Sequence, residues 1–374
     1  MRERKKRTDM DEKTSEKIVI CMAEYQGRCD EEGIAVGHAP KVLSAYHSMI
    51  SDEFKAEVFA PRCVLKASSA ESAKGAKVLR HKIVMKGHNS LFTKIANKMR
   101  MFANIRSVFL HTKADKIWFF NTEFYLMLYL ALFGNKGKEI YCTMFLDGYH
   151  GGPVAKIKQK IFERAQKRMK CVISSGPLFT FKNAPQVFLP DYPYEEEVYA
   201  PYRKYPKEET AVCIGTMGAE KEIEELVECF TKNGYPLHIT GRFYDKERLA
   251  RLRETAGHRV IITDANLSDE EYLKMLGCAH FVVLPYRPSQ YGTQTSGVLQ
   301  EAVFLDTVPI SYTKVLENNQ VPGIGFENWD EVTRERLFSL LDMEAYAKLR
   351  REVYSREHMK DVLKKVFTNE IQPG

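Results

Sequence analysis

Apolar and polar positions along this chain fall into two kinds of block. Short, nearly unbroken apolar runs have the character of strands buried on both faces: Ile18 to Met22, Glu57 to Ala60, Ile117 to Asn121, Ile140 to Phe145 and Cys171 to Ser174. Between them, His38 to Ser51, residues near 91–108 and Val154 to Lys170 repeat apolar residues at helical spacing. The second half repeats the pattern more clearly. Strands are expected at Ala211 to Ile214, Leu237 to Thr240, Val260 to Ile262, Phe281 to Leu284 and Val308 to Ser311. Helices are expected at about 219–233, 245–256, 269–277 and 296–305, with Gly215, Gly234, Gly241 and Ser268 at the junctions. Such alternation predicts an α/β protein built from two doubly wound parallel sheets, with ligands beyond the carboxyl ends of the strands.

Between the halves, the segment from Pro190 to Thr210 holds four prolines and no apolar period, which marks a linker. The expected organisation is a disordered basic tail over 1–16, a Rossmann-like domain over 17–190 and a linker over 191–209. A second Rossmann-like domain follows over 210–342, and a helical segment over 343–374 returns to the first domain.

Length and composition agree with this picture: 374 residues suit two domains, and 44% hydrophobic with 28% charged residues is usual for a soluble globular chain. The eight cysteines are scattered through apolar runs without a C-x-x-C pair, which argues for buried thiols in a reducing compartment and against a zinc ribbon. No apolar segment follows the basic N-terminal run, so no signal peptide is read. The longest apolar stretch, Ile117 to Phe133, is interrupted by Asn121, Thr122 and Glu123, and reads as a strand followed by a helix. A cytoplasmic protein is expected.

Charge changes the picture further. Residues 1–190 hold 33 Lys and Arg against 18 Asp and Glu; from totals of 56 and 49, residues 191–374 are left with 23 against 31. A polycationic first half joined to an anionic second half points to contact between the first half and an anionic surface. The segment carrying Lys156, Lys158, Lys160, Arg164, Lys167, Arg168 and Lys170 alternates these charges with Ile157, Ile161, Phe162 and Ala165. It reads as an amphipathic helix with that apolar face inward and an outer face suited, with Lys94, Lys98, Arg100 and Arg106, to anionic lipid headgroups. No recognised nucleic-acid module accompanies the charge, so no nucleic-acid partner is expected.

The candidate chemistry centres on Tyr286 to Ile310. An apolar strand enters a loop rich in Gly, Ser, Thr and Gln, which opens a helix near Ser296. Thr295, Ser296 and Gly297 at a helix start present free backbone N–H groups and a positive dipole end, a site for phosphate. Glu301, one turn on, is placed to accept from two sugar hydroxyls. The blander account is a solvated glutamate behind an ordinary N-cap. In the first half, Asp147 and His150 follow a strand among Gly148, Gly151 and Gly152, where ligands bind in such sheets. Gly33 and Gly37 stand in the loop after the first strand, where a backbone can approach phosphate closely.

Two Rossmann-like halves with a glutamate-bearing helix late in the second resemble the GT-B glycosyltransferases. More narrowly, the chain resembles the retaining Glu-x(7)-Glu family (glycosyltransferase family 4-like) as a divergent member. Glu301-Ala302 matches the second Glu and its Ala, and Thr307 to Ile310 matches the strand that follows. Ile214 to Lys221 matches the segment whose Lys grips the donor diphosphate, and Thr240-Gly241-Arg242 the next glycine turn. The chain departs at Thr293, where the family has its first Glu, and at Thr216, where it has an Arg; Arg242 is the candidate substitute for that charge.

The resemblance implies GT-B architecture, with the two domains facing across a cleft. It implies transfer of a hexosyl unit from a nucleoside diphosphate sugar, UDP-sugar favoured, to a cell-surface polysaccharide or lipid-linked glycan, with retention and without metal or other cofactor. Gly33, Gly37, Gly215, Lys221, Arg242, Thr295, Ser296, Gly297 and Glu301 would bind donor, and Asp147 and His150 would serve catalysis on the acceptor side. Peripheral attachment at the inner face of the plasma membrane would suit such an acceptor. Thr293 and Thr216 also motivate an alternative, a catalytically silent sugar-nucleotide or membrane-surface binding protein that scaffolds polysaccharide assembly.

Overall fold

A computed structural model describes residues 17–84, 90–150, 152–191, 194–287, 295–338 and 343–370. The basic tail over 1–16, Gly151 and Thr293 lie outside the described residues. In the first lobe the strands are β1 (Val19–Ala23), β2 (Arg28–Cys29), β3 (Lys55–Pro61), β4 (Lys77–Leu79), β5 (Ile83–Val84), β6 (Lys116–Phe119), β7 (Glu139–Met144), β8 (Cys171–Ser174) and β9 (Gln186–Phe188). In the second they are β10 (Glu208–Ile214), β11 (Leu237–Gly241), β12 (Val260–Asp264), β13 (Ala279–Leu284), β14 (Val308–Tyr312) and β15 (Ile324–Phe326).

The large sheets run β4-β3-β1-β6-β7-β8-β9 and β12-β11-β10-β13-β14-β15, and the short β2 and β5 pair separately. Every pairing in the two large sheets is parallel. Each sheet reverses strand order once, between β1 and β6 and between β10 and β13. In doubly wound sheets that reversal opens the ligand crevice at the strands' carboxyl ends. Alternate residues explain the apolar runs. Ile20 and Met22 of β1 face one core while Cys21 and Ala23 face another, and Trp118 and Ile117 of β6 divide in the same way.

Several elements differ from expectation. The segment expected to be irregular linker contains a helix, Glu196–Arg203, with Pro201 inside it. Aromatic stacking holds it: Phe304 lies 5.4 Å from Tyr199 and 4.7 Å from Tyr194, contacts that leave no periodic trace in sequence. The helix expected from 219 begins at Ile223, because the chain over Gly218 to Arg287 is first stitched together by Glu222 N–H to Pro285 O (2.8 Å) and Lys221 N–H to Gly218 O (3.3 Å). The helix Gly152–Gln166 buries Phe162, Ala165 and Gln166, but Ile157, read as core-facing, is 61% exposed.

The C-terminal segment forms two helices, Met343–Glu352 and Arg356–Phe367, the second capped by Ser355. The second packs on the first lobe. Phe367 sits 5.5 Å from Trp118, 5.6 Å from Phe54 and 5.1 Å from Tyr141. Lys360 and Lys364 pair with Asp52 and Glu53 at the rim, where solvent screens the charges, so the buried aromatic contact dominates.

Candidate functional site

A cleft of about 700 Å³ lies at the paired reversals of the two sheets. All four switch-point strands reach it: Glu24 and Gln26 follow β1, Phe120 and Asn121 follow β6, Gly215 follows β10 and Tyr286 follows β13. Gly37, Gly215, Lys221, Thr295, Ser296, Gly297 and Glu301 line this one cleft, although they come from positions up to 264 residues apart (301 minus 37).

The helix Gly297–Phe304 enters from β13 with Ser296 as N-cap, and Ser296 makes no side-chain cap bond. Its first N–H groups therefore keep their capacity for an anion. Lys221 stands nearby and is only 5% exposed. Its ammonium donates to the Ile214 carbonyl (3.3 Å) and lies 5.7 Å from the Tyr286 ring centre; among the described residues no carboxylate pairs with it. A buried cation held this way is costly for the empty protein and suited to an anionic ligand.

Glu301 is buried and held from two sides: Tyr272 donates to Oε2 and Tyr199 to Oε1 (3.4 Å). An ionised carboxylate accepts through about four lone-pair sites, chemistry suited to ligand hydroxyls. Burial, then the Glu301 charge beside it, push the Tyr272 phenol well above its ordinary range, so it stays a donor. Glycine is required at the turn below. Gly215 has φ +103, and a Cβ on Gly241 would meet the Gly215 carbonyl oxygen at 1.6 Å. Strand β11 thus sets the height of the loop that carries Lys221.

Other expected residues lie elsewhere. Arg242 is exposed, its guanidinium 5.3 Å from the Tyr244 ring, and does not line the cleft. Gly33 closes a turn, its N–H donating to Asp30 O (3.2 Å), outside the lining. Asp147 and His150 pair with each other (3.0 Å) after β7; Phe145, two residues before Asp147, lines the cleft, while the pair itself does not.

Sequence reasoning missed Asp191, Tyr272 and the first lobe's Glu24, Gln26 and Arg28. Glu24 and Gln26 directly follow a buried strand, which was signal enough. Asp191 sat in a segment read as linker and had none. Glu24 is fully buried and accepts from the Gln26 and Gly27 N–H groups and from Asn121 (2.6, 3.3 and 3.0 Å); burial nonetheless raises its pKa. The Gln26 amide oxygen beside it is buried without a partner among the described residues. Among the described residues no His, Cys, Asp and Glu gather in a group fit for a metal ion, and no helix is long and apolar enough to cross a membrane.

No family model and no curated protein matches the chain. Solved structures do. Anabaena HepE in complex with UDP and glucose aligns at a TM-score of 0.61 with 10% identity, over 94% of this chain and 100% of HepE. The trehalose-6-phosphate synthase OtsA aligns at 0.61 with 9% identity, over 96% and 100%. AviGT4, a glycosyltransferase of avilamycin A biosynthesis, aligns at 0.56 with 12% identity, over 95% and 98%. The fold is GT-B. Both lobes of the GT-B fold are present, and the cleft between their strand ends is the one described above.

Proposed function

We propose that this GT-B chain is a glycosyltransferase that moves a hexosyl unit from a nucleoside diphosphate sugar to a hydroxyl of a lipid-linked or cell-surface glycan, with retention. The carrying observation is the convergence of a buried, carboxylate-free Lys221 and an uncapped helix N-terminus on one cleft. That positive charge matches a diphosphate. HepE was solved with UDP and glucose, which favours a UDP-sugar here.

In this reading the diphosphate lies against Thr295, Ser296 and Gly297 with Lys221 beside it, and Glu301 takes the ribose hydroxyls. As the bond from the anomeric carbon to the phosphate oxygen breaks, both groups meet the charge gathering on the leaving diphosphate. The acceptor hydroxyl attacks the same face of the sugar, and its proton passes to the departing phosphate oxygen. Asp147 and His150, after β7 at the cleft's margin, arrange the acceptor, and Gly33 and Gly37 shape the first-lobe loop above it.

The first lobe supports docking on an anionic membrane. Helices that run against parallel strands begin at the strands' carboxyl ends, the side of the cleft. At those first turns Leu91, Phe92 and Ile95 of the helix Leu91–His111 and Val154 and Ile157 of the helix Gly152–Gln166 stand exposed, Phe92 by 81%. Lys98 lies over Tyr125 and Lys158 over Phe124, linking the two helices through the start of the helix Phe124–Phe133. Apolar tips within a cationic field suit an interfacial surface of anionic lipid.

A thermal-shift panel of UDP, GDP, ADP and their hexose conjugates tests the donor assignment, because a ligand of the native state raises its melting temperature. One nucleotide class should stabilise the protein, Glu301→Ala should erase the shift, and sugar should transfer to a lipid-linked acceptor. Binding without turnover would instead indicate a silent binding protein; the absence of any shift would sink the donor site.

A further inference from the structure

Asp191 lies where the first lobe reaches the start of the helix Gly297–Phe304. Its Oδ1 accepts from the Thr295 hydroxyl (3.2 Å), and its Oδ2 is 3.4 Å from where a Cβ on Gly297 would stand. The backbone is clamped on both sides, the N–H donating to Gln300 Oε1 (3.0 Å) and the carbonyl accepting from the Tyr46 hydroxyl (3.2 Å). The carboxylate therefore occupies space beside the N–H groups to which the donor diphosphate is assigned above.

The titratable groups facing it are Glu301 from the same helix and the phenols of Tyr46, Tyr194 and Tyr354 from three other elements. No lysine, arginine or histidine acts on it among the described residues. Burial pushes the Asp191 carboxyl up to about 6, with the Glu301 charge adding and the Thr295 and Ser175 hydroxyls opposing.

Resting on the donor reading, we propose that Asp191 must hold a proton while a nucleoside diphosphate fills this site, so that donor binding takes up one proton and Asp191 changes from competing anion to hydrogen-bond donor to a phosphate oxygen. Two anions side by side in a partly dry cleft repel, and a shared proton relieves them. The sign follows from linkage. Below the free-state pKa the proton is already present and affinity is flat; above it, affinity falls about tenfold per pH unit until the bound-state pKa is reached.

Calorimetric titration with UDP-glucose, GDP-mannose and ADP-glucose tests this, since their diesterified phosphates stay ionised throughout. Each is run at about pH 5.5 and about pH 7.5, in two buffers of different ionisation enthalpy. The donor that binds should take up close to one proton at the higher pH and a small fraction at the lower, with affinity about 20-fold weaker at the higher. Asp191→Asn should abolish both the uptake and the pH dependence while retaining affinity at the higher pH. Proton uptake near zero at both pH values in the unaltered protein overturns the proposal, and that count stands even if the variant fails to fold. Binding of none of the three at either pH defeats the donor-site reading and this proposal with it.

Discussion

Replacing Lys221 by Met should make the empty protein more stable and the liganded one weaker. In the empty protein the ammonium has left water for one 3.3 Å bond to a carbonyl and the face of a tyrosine ring. That is poor return for a dehydrated charge, and the unbranched thioether of Met fills a similar channel without it. A gain of about 1–2 kcal/mol is expected, which for a lobe of this size raises Tm by roughly 2–8 °C. The donor loses a charge-assisted hydrogen bond to phosphate, about 1.5–3 kcal/mol, or roughly 10- to 150-fold in Kd. Differential scanning fluorimetry without ligand measures the first effect, and calorimetry with the stabilising nucleotide measures the second. A lower Tm together with undiminished nucleotide affinity would show that Lys221 is a structural lysine and refute the reasoning.

Gly241→Ala should destabilise the second lobe by about 3 kcal/mol or more, because its Cβ would meet the Gly215 carbonyl oxygen at 1.6 Å and force β11 from the β10 loop; an unchanged urea midpoint would contradict this. The Asp191 carboxyl titrates at about 6 in the folded protein against a reference of 3.8, so the folded state binds the proton more tightly and stability is lost as pH rises from about 4 to about 6. Partial exposure limits that loss to about 1–2 kcal/mol. Asp191→Asn should remove it, and a stability difference between the two proteins that stays constant over this range would count against the assignment. Phe92→Asp with Ile95→Asp should weaken sedimentation with phosphatidylglycerol vesicles about 100-fold or more while leaving nucleotide binding intact, at about 1.5–3 kcal/mol for each apolar side chain withdrawn. Equal sedimentation of both proteins would remove this patch from the interface.

Much of the fold was legible because parallel strands buried on both faces write themselves as continuous apolar runs. Cys171 to Ser174 matches β8 end to end, and Leu237 to Thr240 misses β11 by one residue. Short edge strands such as β4 and β9 gave no such run. The helix Glu196–Arg203 was hidden by Pro201 and by stability that comes from stacking on Phe304. Within the candidate site, residues bound to a local pattern, Ser296, Gly297 and Glu301, were visible as a strand–loop–helix. Tyr272 and Asp191 meet Glu301 and Thr295 only through tertiary folding, 29 and 104 residues away in sequence, and no local period reports such distances.

The chain crosses between the lobes twice, and the two crossings touch: the Arg356 guanidinium pairs with Glu195 at 2.8 Å and donates to Ser48 of the first lobe at 2.9 Å. Two strands of covalent chain pinned together act as one pivot. A rotation about that pivot sweeps the rim of the cleft through a wide arc while its floor, close to the axis, stays nearly still. Asp191, whose carbonyl accepts from Tyr46 of the same helix as Ser48 (3.2 Å), lies close to this axis. The Asp191–Thr295 contact between the lobes would thus move little under such a rotation, and parts of the first lobe far from the axis would move more.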